Sequence, residues 1–495
     1  MTKAQSGELA RSGIRGSVVT VAAQALSVVF RLAGLVVLAR LLEPSLFGLA
    51  AIAVAISTFA SAIIFLGLPM ATAQAPKLSN AAQSTLFWIN TVLGIILCIA
   101  IASTADFVAN IYSSSDLGYI LKWIALVPLI SGIQSQFRLR LVRELRFGVL
   151  ASADVAAQVA STILSIALAY LGYALWAIIS QGLTVVVVQL LVVGVSARWV
   201  PKKLGDWNTQ VRGILIVGLR IFGINVLRDG SRSALVPLMG LQFSPTSLGN
   251  FDRAQQIAVV PVSLTVDQLQ RVVVPILARL KGNIESISSF YRAGQLCVVY
   301  MTGSLFAILA AASPTLVELL LGREWSQAGT ALQALSVGAA VRALAQTTQW
   351  VFIGVGQTAA SLKLNMFLQP AVLAISLCGI PWGVVGVAWA NSAAWLMAWP
   401  LSTWVLSRAV GLPFKSILQD AARGLFFLVI PVGLFGLLVD SFSRALGLSN
   451  IGVLSATILS SVLLGSMLVL TVPIVRQDFL RIYSLFRLAL RKSPV

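Results

Sequence analysis

Apolar runs of about 20 residues follow one another along almost the whole of this 495-residue chain. Each run can cross a hydrocarbon core of about 30 Å as a helix. Inside hydrocarbon a backbone must satisfy its own N–H and C=O groups, which leaves helices as the form such runs take. Hydrophobic residues make up 58% of the chain and charged residues 10%. A soluble globular core cannot absorb that share. No polar stretch is long enough to form a separate soluble domain. The sequence therefore predicts an all-α polytopic membrane protein with about 14 transmembrane helices. The predicted spans begin near Ile14, Leu46, Thr85, Tyr119, Phe147, Ala174, Val211, Leu248, Ser288, Gly329, Ala359, Trp382, Arg423 and Asn450. The first run, from Gly16 to Leu42, is too long for a signal-peptide core and reads as a retained helix.

The formal net charge is +19. With no basic soluble face to present, the chain does not read as a nucleic-acid binder. The positive-inside rule accounts for the charge better. Arg138, Arg140, Arg143 and Arg146 mark one loop, and Arg198, Lys202, Lys203 and Arg212 the next inner one. Glu43, Asp116, Glu318, Glu324 and Asp440 mark the intervening outer connections. This alternation puts both termini in the cytoplasm. Histidine is absent, and Cys98, Cys297 and Cys378 are scattered through predicted spans. The cysteines read as small packing residues, and neither a metal site nor a cofactor is expected.

Arg31, Arg220, Arg228, Arg232, Arg271 and Arg342 lie inside apolar runs, with only Asp229 and Asp267 near the middles of those runs. An arginine at mid-bilayer costs at least about 2.5–3.5 kcal/mol. The surplus positive charge calls for water, a cavity or an anionic ligand. On the seventh span Asn225, Arg228, Asp229 and Arg232 share one helix face by their spacing. Thr20, Gln24, Ser27 and Arg31 do the same on the first span, Ser263, Asp267, Gln270 and Arg271 on the eighth, and Arg342, Gln346 and Gln349 on the tenth. Four such stripes suit a shared wet cavity. Asp229 can instead pair with Arg232, and Asp267 with Arg271, one turn away. Arg220 can snorkel to the inner surface. Arg31, Arg228 and Arg342 have no local acid and are the stronger candidates for binding an anion. Asp154, with Gln158 and Ser161 on its face, could carry a proton or cation, or be a helix-end residue in cytoplasmic water.

The chain also carries signs of an internal repeat. Pro44-Ser-Leu-Phe-Gly48 and Pro245-Thr-Ser-Leu-Gly249 align, and the same shift places Arg31 on Arg232. A weaker echo joins the turns at Gly172 and Gly383. With an even number of helices per repeat, the two halves would be parallel. The expected organisation is a first lobe over 1–204, a second over 205–410, two further helices over 411–475, and a basic amphipathic tail over 476–495. Phe479, Ile482, Tyr483 and Phe486 interleave with Arg481, Arg487 and Arg491 in that tail, which suits the acidic inner leaflet or a frayed end. Enzyme signals are weak: the acids are scattered, no Asp-x-Asp occurs, and the longest expected outer segment runs only from Ser313 to Gln327. The chain is not expected to be an enzyme.

Short stretches in order along the chain carry a family resemblance. They are Gly34-Leu-Val-Val-Leu-Ala-Arg-Leu-Leu42 running into Phe47-Gly48, Leu86-Phe-Trp-Ile-Asn90 and Arg143-Glu-Leu-Arg-Phe147. They continue with Leu248-Gly-Asn-Phe-Asp-Arg-Ala254, Leu321-Gly-Arg-Glu-Trp325 and Pro381-Trp-Gly-Val-Val-Gly-Val387. With these the chain resembles the Wzx-type lipid-linked oligosaccharide flippases, in the colanic-acid/exopolysaccharide branch of the multidrug/oligosaccharidyl-lipid/polysaccharide exporter superfamily. The resemblance implies two six-helix lobes in a V around a central cationic cavity, plus two C-terminal helices. It implies transfer of an undecaprenyl-diphosphate-linked oligosaccharide across a bacterial inner membrane by alternating access, for polysaccharide biosynthesis. Membrane lipids, a polysaccharide polymerase and a chain-length regulator are the implied partners. Arg31 and Arg228 are the cavity arginines it favours, with Arg232, Arg271 and Arg342 as further anion ligands. Gln24, Asn225, Gln346 and Gln349 are the candidate polar cavity residues, and Asp229, Asp267 and Asp154 the candidate coupling acids. Relatives often hold an acid three residues after the position of Arg228; Ser231 stands there in this chain, which puts a coupling role for a seventh-span acid in doubt. The competing readings are a cation-coupled drug antiporter, a flippase for the peptidoglycan precursor, and a membrane glycan synthase or polymerase. The positive surplus argues against the antiporter, whose cationic substrates favour cavity acids.

Overall fold

A computed structural model describes the backbone at residues 23–65, 79–202 and 209–491. Side chains are described there except at 65, 209–210, 217–229, 232 and 483–491. The described residues form helices and connecting turns, with no strand among them. In chain order the helices are α1 (Ala23–Leu41), α2 (Pro44–Phe65), α3 (Asn80–Ile111), α4 (Ser115–Arg143), α5 (Phe147–Tyr170), α6 (Ala174–Ala197) and α7 (Thr209–Gly240). They continue with α8 (Pro245–Arg279), α9 (Ile284–Leu320), α10 (Ser326–Val355), α11 (Thr358–Leu377), α12 (Gly383–Val410), α13 (Phe414–Ala445), α14 (Asn450–Thr471) and α15 (Pro473–Arg491). Thirteen helical stretches are long and apolar enough to cross a membrane. The arginine-bearing α7, at 32 residues, matches their length.

Every predicted span overlaps a described helix, although the start of the first, near Ile14, lies outside the described residues, and the differences in the other boundaries have physical causes. α3 starts at Asn80, earlier than expected, because Ser79 caps it by accepting from the Ala82 N–H at 3.1 Å. α13 starts nine residues before the predicted Arg423, since its first turns carry Lys415, Asp420 and Arg423 beside buried Ile417 and Ala421. Mixed polarity hides that start from a hydropathy reading. The outer segment expected over Ser313–Gln327 is mostly helical, because α9 runs on to Leu320. Pro314 within it packs against Gly329 of α10, where a Cβ would stand 2.9 Å from the proline backbone. Asp440 of α13 accepts from Thr315 Oγ1 at 2.7 Å and from Arg444 at 2.9 Å, and these bonds hold the extension.

Contacts group the chain into residues 1–249 and 250–495. In the first unit α5 packs along α6, α3 and α6 along α4, and α2 along α7. Leu38, Phe47, Ile52, Ile64 and Leu86 fill its core. The start of α2 meets the start of α8 through the two aligned pentapeptides. A Cβ at Gly48 would strike the Pro245 carbonyl oxygen, and one at Gly249 would strike the Pro44 carbonyl oxygen. The contact is reciprocal, and all four residues belong to the first unit. Tyr112, just past α3, donates to the Pro237 carbonyl at 2.9 Å, and burial pushes its phenol above the ordinary value.

In the second unit α10 is the central element, flanked by α9 and α12. Tyr291, Phe306, Trp325, Trp350 and Phe352 are fully buried there. α14 lies outermost and exposes Leu459, Leu463 and Leu470, as a lipid-facing helix would. α9 and α13 each widen for one turn to i→i+5 bonding, at Val299–Gly303 and Leu425–Val429. The two widened turns face one another. A Cβ at Gly303 would stand 2.9 Å from Val429, and one at Gly424 2.7 Å from Val299. Small residues let the two helices touch where their regular bonding is interrupted.

Candidate functional site

α10 turns its middle toward α8 and α12 and places Arg342 half-buried between them. The guanidinium lies over the Trp395 ring, 5.5 Å from its centroid. Around it is a cavity of about 50 Å³ lined by Gln255, Val259, Leu335, Asn391 and Trp395 among others. Asn391 donates to Ser376 Oγ of α11 at 2.9 Å. No carboxylate lines the cavity. Arg342 has no ion-pair partner among the described residues, as the sequence expects. Its neighbours on the same stripe behave differently. Gln349 accepts from Ser361 Oγ at 2.5 Å and so belongs to a polar seam with Asn365 of α11. Gln346 keeps a buried side-chain oxygen with no hydrogen-bond partner.

In the first unit α1 packs on α5 through Gly34, whose Cβ position is 3.1 Å from Thr162. Arg31, one turn earlier, is exposed and makes no hydrogen bond or ion pair among the described residues. Gln24 on the same helix has a partner. α7 is helical through Asn225, Arg228, Asp229 and Arg232, so their predicted one-face spacing holds in the backbone, while their side chains lie outside the described residues. Arg220 and Thr20 fall outside them too. On α8, Asp267 and Arg271 are exposed and neither is without a partner.

Asp154 keeps a partly exposed side chain and is also held by two neighbouring helices. Arg138 of α4 grips both carboxylate oxygens, at 2.8 and 3.3 Å, and Gln189 of α6 adds a bond at 2.9 Å. Arg138, expected in a loop, lies within α4, which continues through it to Arg143.

A larger polar network lies outside the sequence-based expectations. Asp420, on the first turns of α13, accepts from Arg292 of α9 at 2.6 Å and from Arg423 at 3.3 Å, with Arg481 at 3.7 Å. Asp478 of α15 accepts from Arg423 at 2.6 Å and from the Tyr300 hydroxyl at 2.7 Å. Phe479 stacks against Tyr300 with centroids 5.0 Å apart. The first turns of α15 are therefore docked by a buried acid, within a tail read as basic. The one local signal was the Asp420/Arg423 spacing; Arg292 and Asp478 are far away in sequence. Beside this network an apolar groove of about 450 Å³ runs between α9, α13 and α14, lined by Ile308, Leu428, Val469 and Phe479 among others. Among the described residues no group of His, Cys, Asp or Glu is large enough to hold a metal ion.

The profile of a family described as "Polysaccharide biosynthesis protein" matches residues 37–330, more than half of the chain. The chain belongs to the polysaccharide biosynthesis protein family. Among family relatives, the lipopolysaccharide biosynthesis protein WzxC of Escherichia coli (strain K12) is 22% identical over 354 residues, covering 71% of this chain and 72% of the relative. The succinoglycan biosynthesis transport protein ExoT of Rhizobium meliloti (strain 1021) is 20% identical over 443 residues, 88% of each chain. The fold is similar to that of a solved structure titled "Lipid II flippase MurJ, inward closed conformation", with a TM-score of 0.72 at 13% identity over 91% of this chain and 99% of that one. The matched family segment holds Asp154, Arg228, Arg232, Asp267 and Arg271. Arg31, Arg342, Asp420, Arg423, Asp478 and Arg481 lie beyond its limits, whereas Arg292 and Tyr300 lie within them.

Proposed function

We propose that this protein moves a polyprenyl-diphosphate-linked oligosaccharide, of the undecaprenyl kind, from the cytoplasmic to the periplasmic leaflet of a bacterial inner membrane, and is a transporter rather than an enzyme. The observation that carries this reading is a pair of mid-span guanidinium groups, Arg31 and Arg342, without a carboxylate among the described residues. A bare diphosphate cannot enter hydrocarbon, since an unpaired ion costs tens of kcal/mol there by Born estimates. Guanidinium groups offer fork-shaped donors that match phosphate oxygens. Arg31, Arg228, Arg232, Arg271 and Arg342 are the groups assigned to anions, with Gln24, Asn225, Gln346 and Gln349 for sugar hydroxyls. The groove beside α14 gives an isoprenoid tail an apolar surface at the edge of the bundle.

The names of WzxC and ExoT place those relatives in lipopolysaccharide and succinoglycan biosynthesis, which supports a polysaccharide precursor as cargo. Transport would proceed by alternating access of two parallel six-helix repeats, with both termini cytoplasmic and a polymerase and chain-length regulator acting on the product. An inside-negative potential favours outward movement of negative charge by about 2.3 kcal/mol per charge per 100 mV. Asp229 and Asp267 are the acids proposed for ion coupling. Asp154 is a weaker candidate, because Arg138 already neutralises it. The test is reconstitution of the purified chain into liposomes with a fluorescent polyprenyl-diphosphate oligosaccharide in one leaflet. The expected result is protein-dependent appearance of the label in the other leaflet. Movement no faster than in empty liposomes would overturn the reading.

A further inference from the structure

We infer that the apolar groove between α9, α13 and α14, with the arginines at its α15 end, is a binding site for one anionic glycerophospholipid of the bilayer. The inference goes beyond the transport reading, because it concerns a lipid that the protein holds and not one that it moves.

The groove and the Asp420–Asp478 network form one continuous feature. Tyr300 and Phe479 line the groove. The Tyr300 hydroxyl also donates to Asp478, the residue before Phe479. α9 and α13 begin at this end of the unit, and α14 finishes there at Thr471. The arginines therefore sit where the bundle meets a membrane surface. The groove residues of α14 run from Ser461 to Leu470. That is a rise of about 14 Å along a helix, close to half of a hydrocarbon core of about 30 Å. The groove is thus one leaflet deep, which is the reach of a phospholipid acyl chain. An isoprenoid tail of the undecaprenyl kind is far longer and would run along the filled groove, not within it. Ser304, Gly465 and Ser466 are small and keep about 450 Å³ open between walls that include Ile308, Val432 and Val469.

Charge selects the headgroup. Arg292, Arg423 and Arg481 gather around Asp420 and Asp478, and this cluster of three arginines and two carboxylates carries a net positive charge. Arg423 and Arg481 keep 34% and 33% of their side chains exposed. Arg476 is exposed on the same helix as Arg481. A phosphodiester brings one negative charge, which complements the surplus, whereas a diphosphate brings at least two. Basic pockets between spanning helices suit anionic headgroups, and guanidinium forks match phosphate oxygens. A zwitterionic headgroup carries its own cation and gains less from such a site.

The experiment transfers the full-length purified protein into lipid-free detergent. Palmitoyl-oleoyl phosphatidylglycerol, phosphatidylethanolamine with the same chains, glycerol phosphate and a polyprenyl phosphate are then added, singly and in competition. Native mass spectrometry counts the lipid retained, and thermal unfolding reads its effect on the fold. One phosphatidylglycerol is expected to stay bound and to raise the Tm by a few degrees. Phosphatidylethanolamine should be lost more readily, and glycerol phosphate, which has no chains, should change nothing. Arg481→Gln should weaken phosphatidylglycerol retention about fivefold, and Arg481→Lys should restore most of it. Ser466→Phe fills the groove and should abolish retention. Leu459→Phe, on the exposed face of α14 outside the groove, should behave as the wild type. If Arg481→Gln fails to fold, the contrast between Ser466→Phe and Leu459→Phe carries the test. Equal retention of the two phospholipids, or unchanged retention in Ser466→Phe, would overturn the inference. Displacement of phosphatidylglycerol by an equal amount of the polyprenyl phosphate would assign the groove to the cargo tail and overturn it too. Flipping by a protein that retains no phosphatidylglycerol would sink this site and leave the transport reading standing. Retention without flipping would do the reverse.

Discussion

A guanidinium within an apolar helix keeps its charge by reaching water, by meeting a carboxylate, or by holding an exchangeable anion. Arg138, Arg292, Arg423 and Arg444 take the second course. Arg342 rests on an indole instead, with its donors open to a cavity. Asp478 is the acid whose removal should matter most to the fold, since it is buried and serves both Arg423 and Tyr300. Asp478→Asn should lower stability by about 2 kcal/mol, less than the loss of a fully buried pair because Arg423 is partly exposed. A lower Tm and faster proteolysis of the C-terminal helix would be the signs. A Tm equal to the wild type would mean that α15 is held by its apolar contacts alone. These pairs also mark the limit of what residues reveal in sequence. A lone arginine on an apolar stripe is visible, because only its own helix matters. The pairing of Arg292 with Asp420, or of Tyr300 with Asp478, is created by tertiary packing across long stretches of chain. It leaves no local pattern.

Among the elements, the spans were the most legible feature, since a membrane helix needs length and apolarity and little else. The ends of α3 and α13 were less so, because capping and mixed polarity set them. The aligned pentapeptides gained a physical meaning that sequence alone could not supply. Their glycines stand where backbones of α2 and α8 touch, and any side chain there collides with a carbonyl. Gly48→Ala or Gly249→Ala should therefore destabilise the protein by about 1–3 kcal/mol or more, as overpacking does. Gly194→Ala is the control: it lies inside α6 with nothing within 4 Å of its Cβ position, and should be neutral or stabilise by about 0.5–1 kcal/mol. Chemical or thermal unfolding of the three variants side by side checks the contrast. Equal behaviour would deny the close approach.

For the whole molecule, the charge asymmetry of the loops predicts an orientation that labelling can test. In a background lacking Cys98, Cys297 and Cys378, a cysteine at exposed Glu324 should react with an impermeant maleimide in intact spheroplasts. One at exposed Lys202 should react only after permeabilisation. The reverse pattern would invert the topology. The proposed transport rests on the mid-span arginines assigned to the diphosphate. The most direct measurement is the initial flipping rate of a polyprenyl-diphosphate oligosaccharide in liposomes holding wild type, Arg31→Ala or Arg228→Ala at equal folded amounts. Loss of a charge-assisted phosphate contact should slow each variant by about tenfold or more. Wild-type rates in both would contradict the account.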